Sequence, residues 1–190
     1  MPEANPAALS FLASRRSRPA KTLTTPVPDR AVLEDLLTVA ARTPDHGKLE
    51  PWRFIVLETA ALKRLADTIP MYCRDIDPEK TAKLVAQFAN ADLAVAVIAS
   101  PKPSDKIPEI EQTLSAGAVA MNLLSAALAA GWGANWLSGW ISHDRKWRED
   151  TLGLAPTEWI AGFIHIGTER MTPPERPRPD LSSIVTWVET

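Results

Sequence analysis

Pro108–Trp140 reads PEIEQTLSAGAVAMNLLSAALAAGWGANWLSGW, and the rest of the chain can be placed around it. Pro108 opens the stretch without losing a needed donor, and Glu109 and Glu111 oppose the dipole of a helix beginning there. Leu114, Ala118, Met121, Leu124, Ala127 and Leu128 then recur at helical spacing, with Ala, Ser and Gly on the other faces. Gly131 and Gly133 end the pattern. A helix from Pro108 to Ala130 would be about 34 Å long at ~1.5 Å per residue, enough to cross a small domain. Small residues on most sides predict burial on most sides, either inside one domain or against a second copy of the same helix.

The whole chain sets outer limits on that reading. Its 190 residues can build a real core, and near-average hydrophobicity describes a soluble, globular single domain. A net charge of -2 gives no general reason to bind nucleic acid or an anionic membrane. Cys73 is the one cysteine, which excludes an internal disulfide and a thiolate metal site and favours a reducing compartment. The N-terminus carries acid and proline where a signal peptide would be basic, and Asn122 and Ser125 mark the long helix as core. No transmembrane segment is expected, and the expected location is the cytoplasm.

Around the central helix, periodicity predicts a helical cluster over 7–15, an irregular crossing through prolines 19, 26 and 28, and a helix over 29–42. A loop over 44–51 carries His46 into a strand over 53–57. Thr59 can cap a third helix with Leu62, Leu65, Ala66 and Ile69 inside. A fourth starts at Asp77-Pro78-Glu79 and reaches about Asn90. The apolar run 91–99 suits a strand buried on both faces. A strand over 134–140, a helix capped by Ser142 and ending near Gly153, and a buried strand over 159–167 follow. After a proline-rich basic stretch over 172–179, residues 181–188 form a short strand or an embracing tail whose Ile184, Val185 and Trp187 need cover. Helices and strands do not strictly alternate, so the class is α+β.

The usual catalytic patterns are missing. The three histidines at 46, 143 and 165 are far apart, without HExxH spacing, so a metal site has no support. No GxSxG, GxGxxG or Walker loop occurs. Two features remain. Arg15-Arg16-Ser17 places two guanidinium groups and a hydroxyl at one helix end, suited to phosphate; a solvated basic helix terminus is the plainer alternative. Residues 131–140, GWGANWLSGW, mix glycine with tryptophan, so backbone could approach a flat ring; a core strand with large aromatics reads equally well.

Taken together, LASRRS near the N-terminus, PDHGKLEPW after the second helix, the SAG-to-AAGWGANWLSG segment and GFIHIGT near the end resemble the nitroreductase family in the same order. These are FMN-dependent NAD(P)H oxidoreductases, and the likeness is to the short members. The resemblance implies a nitroreductase-like α+β fold with a central mixed sheet flanked by helices. It also implies a homodimer with the long helix at the interface, and a C-terminal arm wrapped over the partner. FMN would be the cofactor, NADH or NADPH the donor, and a small oxidant such as a nitroaromatic or quinone the acceptor. The family also includes members that act on flavin itself or on halogenated substrates; a flavin carrier or sensor without turnover is a further reading.

By the same resemblance, Arg15 and Ser17 meet FMN phosphate or ribityl, with Arg16 alongside. Arg42 and His46 reach the flavin from the other subunit, and Trp136, Leu137 and Ser138 meet it after the central helix. Arg176 and Arg178 are both candidates for the phosphate, and Arg178 joins the candidate set. In the chain alone, Arg42 could neutralise a helix end, His46 could be a turn residue, and the tail arginines could be solvated. One departure stands out. Many members have a basic residue two positions after the motif's serine; here that position is Pro19, so Arg18 or Lys21 must substitute or the flavin potential differs.

Overall fold

A computed structural model describes residues 3–189, with seven α-helices and five strands among them. The chain runs α1 (Pro6–Ser14), β1 (Leu23–Thr24), α2 (Arg30–Ala40), β2 (Trp52–Glu58), α3 (Thr59–Tyr72), α4 (Pro78–Ala89) and β3 (Leu93–Ala99). It continues α5 (Glu109–Ala129), β4 (Gly133–Leu137), α6 (Trp140–His143), α7 (Arg145–Leu152) and β5 (Trp159–Glu169). The α+β class holds. Every strand pairing among the described residues is antiparallel, and β5 is the hub, bonded to β1, β3 and β4, while β2 completes the sheet beyond β3. Where a mixed sheet was expected, parallel strands do occur, but not as neighbours. The helix pair α3–α4 returns the chain antiparallel to β2. The single helix α5 carries it across so that β3 and β4 run the same way on either side of β5.

The period of two along β3 divides the core. Ala94, Ala96 and Ile98 face α3, α4 and α7, where Leu62, Leu65, Ile69, Phe88 and Trp147 pack with Phe163. Leu93, Val95 and Val97 face the other way, onto Leu33 and Leu36 of α2 and Val119 and Leu123 of α5. All seven residues of β3 are buried, as its uninterrupted apolar run predicts. The Phe88 and Phe163 rings meet edge-on at 5.0 Å. Beside them His165 is buried, and desolvation pushes its imidazole down to about 4.

The central helix differs from its expectation in an instructive way. By length and composition it could cross a bilayer, but it packs against α2 and the sheet as a core helix. The face turned inward is Ser115, Ala116, Val119, Ala120, Leu123, Leu124 and Ala127. Leu114 and Ala118, members of the apolar stripe read as facing either the core or a second copy, are on the exposed face, with Leu114 66% exposed and Met121 half-buried beside them. Both faces are made of small or apolar residues, so periodicity could not say which one the sheet takes.

Three smaller expectations are corrected. Trp140 does not end β4; it begins α6, after Gly139 at φ 141° breaks the strand. Ser142 caps nothing: it is buried in α6, and Asp144 instead accepts the Trp147 N–H at the start of α7. Thr59 begins α3 rather than capping it, its hydroxyl bonding Asp92 O on the neighbouring strand entry. The tail over 181–188 makes one short 3-10 turn, Leu181–Ser183, and stands exposed, with Trp187 at 86%.

Candidate functional site

The basic motif is positioned by β4. After α1 ends, the Arg18 N–H bonds Ala134 O at 2.8 Å and the Asn135 amide returns a 2.7 Å bond to Arg18 O. The chain then runs through a 3-10 turn, Ala20–Thr22, into β1, which lies close against the sheet. Gly133 makes that approach possible, because a Cβ there would collide with the Leu23 side chain at 2.5 Å. Of the two readings of this glycine-tryptophan segment, Gly133 follows the second: it admits a neighbouring strand. Gly131, at φ 86°, is the helix stop.

Three guanidinium groups gather where α1 meets the tail. Arg15 reaches Ser17 Oγ at 3.3 Å, and its Nε is buried without a hydrogen-bond partner. Burial first, then the charges of Arg178 and Arg16, hold its pKa below the ordinary value. Glu175 is the acid among them, 2.9 Å from Arg178 and 3.5 Å from Arg16, yet Arg16 Nη1 still lacks a hydrogen bond. Three cations with one shared carboxylate and orphaned donors describe an incomplete anion site. A cleft of about 260 Å³ opens beneath Arg15, Arg16 and Arg18, between Phe11 and Trp132.

The remaining candidates lie elsewhere. Arg42 is exposed just past α2 and does not line that cleft. His46 belongs to a loop in which His46, Gly47, Lys48 and Glu50 all have positive φ, from 45° to 73°. For the non-glycine residues this is backbone strain, and α5 holds it in place. Ser115 Oγ donates to Pro44 O at 2.6 Å, Asn122 donates to Thr43 Oγ1, and His46 Nε2 sits 3.0 Å from Glu111 O. Trp136 lies across Gly162, where any Cβ would collide with the indole, and its N–H bonds Ala161 O at 3.2 Å. One side of its ring is therefore packed against β5, and the half-buried Trp136 and Leu137 with exposed Ser138 are what the segment leaves open.

Of the two substitutes for the basic position vacated at Pro19, Arg18 is engaged, its Nε 2.9 Å from Glu169. Lys21 has no ion pair among the described residues and shares a cleft with Ser138.

The family model described as the nitroreductase family matches residues 12–168. "Putative NAD(P)H nitroreductase YdjA" of Escherichia coli (strain K12) is 31% identical over 183 residues, covering 95% of this chain and 98% of the relative. The chain belongs to the nitroreductase family. A like-named protein of Haemophilus influenzae is 35% identical over 165 residues, covering 85% of this chain and 88% of its own. Among solved structures, a nitroreductase-like family protein from Bacillus cereus superposes with TM-score 0.81 at 24% identity, each chain covered completely. A nitroreductase with bound FMN from Bacteroides fragilis gives 0.74 at 19%, covering 98% of this chain and all of that one. These two establish the fold of a nitroreductase for this chain.

Sequence reasoning missed Glu175, Asn135 and the α5 polar residues that pin the His46 loop. Glu175 and Arg178 stand three apart in ERPR, a spacing that could have flagged the pair. Nothing local marks Asn135 or Ser115, whose partners are 117 and 71 residues away.

Proposed function

We propose that this nitroreductase-family chain is an FMN-dependent NAD(P)H oxidoreductase that reduces a small oxidant such as a nitroaromatic or quinone. The observation that carries the reading is the arginine group at the α1 end, with Arg15 Nε buried and unpartnered and Arg16 Nη1 met only by the shared Glu175 at 3.5 Å. Those groups fit a phosphate: two or three convergent guanidiniums can bond several of its oxygens, and Ser17 adds a hydroxyl. Arg15, Arg16, Ser17 and Arg178 would hold the phosphate end, and Leu137 and Ser138 would face the ring. FMN, when bound, supplies two-electron chemistry between NAD(P)H and the oxidant in alternating half-reactions, which is consistent with the missing protein nucleophile. The chain's own work is to hold, orient and leave one side of the ring accessible.

The working unit is a homodimer. Leu114 and Ala118 on α5, Leu9 and Leu12 on α1, and Ile184, Trp187 and Val188 in the tail leave much apolar surface outside a single copy. A second copy would cover it and bring Arg42 and His46 to a neighbouring site, which gives the strained loop a purpose. Light scattering should give a dimer; a monomer that retains FMN would refute this arrangement.

The deciding experiment is an anaerobic visible spectrum before and after NADH and NADPH. A flavin spectrum that bleaches supports the reductase and names the donor. One that persists unbleached favours a carrier. A protein that stays colourless with added FMN overturns the proposal.

A further inference from the structure

A second cleft, of about 670 Å³, lies between α4 and the turn at Ala20–Thr22, a size suited to a small-molecule ligand. Its charge is one-sided. Lys80 and Lys83 project from α4, Lys21 faces them from the turn, and no acidic residue lines the space among the described residues. Glu79 approaches Lys83 at 3.8 Å, but both side chains are more than 70% exposed, so that pair neutralises little. Leu84, Ala86 and Ala91 supply an apolar floor. Lys80, Leu84 and Gln87 follow a single face of α4, with Lys83 at i+3 from Lys80, so the cations and part of the floor belong to one surface. Ser138, the last residue of the segment that the proposed function sets against the flavin ring, also lines this cleft.

The other large clefts lack this bias. The one between α2 and β2 mixes Arg30 with Glu34, Glu58 and Asp92, and Arg30 is already bonded to Glu34 at 2.8 Å. The one beside the α5 N-terminus sets Lys102 and Arg148 against Glu109.

We propose that Lys21, Lys80 and Lys83 make the oxidant site selective for flat aromatic compounds that carry a carboxylate. The inference rests on the oxidoreductase reading and adds the substrate class. The apolar floor accepts a ring face, which any aromatic offers; the ammonium groups reward only the anionic member of an otherwise matched pair.

The test compares 4-nitrobenzoate with 4-nitrobenzyl alcohol on the purified, flavin-loaded protein. Calorimetry gives the two dissociation constants, and steady-state assays with NADH give the two kcat/KM values. The carboxylate should lead by roughly tenfold at low salt, as a few partly exposed charge pairs allow. The lead should shrink as salt screens the lysines. In the Lys80→Gln/Lys83→Gln variant the ratio of carboxylate to alcohol should fall toward one, with thermal melting confirming that the exposed substitutions leave the fold intact. Equal affinity for both compounds in the parent protein overturns the proposal, and so does a preference that survives in the variant. A variant that loses NADPH-over-NADH discrimination while keeping its nitrobenzoate preference also overturns it, by assigning the lysines to the donor. Failure of the flavin to bleach would sink the oxidoreductase reading alone, because the calorimetric ratio is read without turnover.

Discussion

Arg53 and Arg15 are the same side chain in two opposite situations. Arg53, on β2, meets Glu158 with two parallel bonds, Nε to Oε1 and Nη2 to Oε2, each 2.7 Å. The match is so complete that the Glu158 carboxyl is held at about 2, chiefly by Arg53. Arg15 has two other arginines for company and an unbonded Nε. Evolution of a stable fold needs the first arrangement and gains nothing from the second, because buried donors without acceptors and clustered like charges both cost free energy. The contrast separates an arginine that completes the structure from arginines that a ligand completes.

Acid should act on the packed core and on the Arg53–Glu158 pair, and produce the largest change. His165, with its folded pKa depressed to about 4, stays neutral in the native protein while the unfolded chain takes up a proton below about 6.5. The unfolded state then binds more protons, so stability falls as pH drops from 6.5 toward 4, by about 3 kcal/mol for a shift of this size. Glu158 adds its own loss as pH falls from 4.5 toward 2, since its depressed pKa favours the native state only above that range. Denaturant melts across pH 7 to 2 check the sum, and His165→Gln should flatten the upper part of the slope. A stability that stays level from pH 6.5 to 4 would remove His165 as a buried neutral group.

Arg15→Ala comes next. Losing one charge-assisted donor to a phosphate costs about 2–3 kcal/mol, on the order of a 100-fold rise in the FMN dissociation constant, with little change in melting temperature of the flavin-free protein. Fluorescence titration with FMN measures it, and undiminished flavin occupancy would sink the assignment. Arg53→Ala should do the reverse, lowering stability by about 2 kcal/mol by leaving Glu158 poorly paired while FMN binds as before. If each variant changed both properties, the distinction between the two arginines would collapse.

The smallest effect belongs to Glu175. Its carboxylate sits among Arg16 and Arg178, where a phosphate would compete with it. Glu175→Gln should therefore tighten FMN binding by about 1 kcal/mol, several-fold in affinity. A weaker complex would mean that Glu175 holds the arginines in place rather than opposing the ligand.

The same contrast explains what the chain disclosed in advance. Elements with one strong period were legible: β3 as an apolar run, and α4 from Asp77-Pro78, where Asp77 accepts the Glu79 and Lys80 N–H groups. Arg15, Arg16 and Ser17 were legible because a local motif carries them. The outward turn of Leu114 and Ala118 was not, since a helix apolar on both faces has no internal marker for the side the sheet will choose. The need for a glycine at 133 was hidden for a related reason: it is set by Leu23, more than a hundred residues earlier. Trp136 stood out in the sequence as part of a glycine-tryptophan segment, but its engagement with Ala161 depends on a strand formed later in the chain.

The two bonds that tie Arg18 to β4 have a consequence for the life of the folded chain. Arg15 and Arg16 are adjacent trypsin sites, while Pro19 protects the bond after Arg18, and a protease must draw such a segment into extended form before cutting it. The contacts to Ala134 and Asn135 and the Arg18–Glu169 ion pair, with whatever anion the arginines embrace, hold this segment down. Limited tryptic digestion at the N-terminus thereby becomes a clock for cofactor occupancy: slow in the loaded protein, fast once the arginines are released.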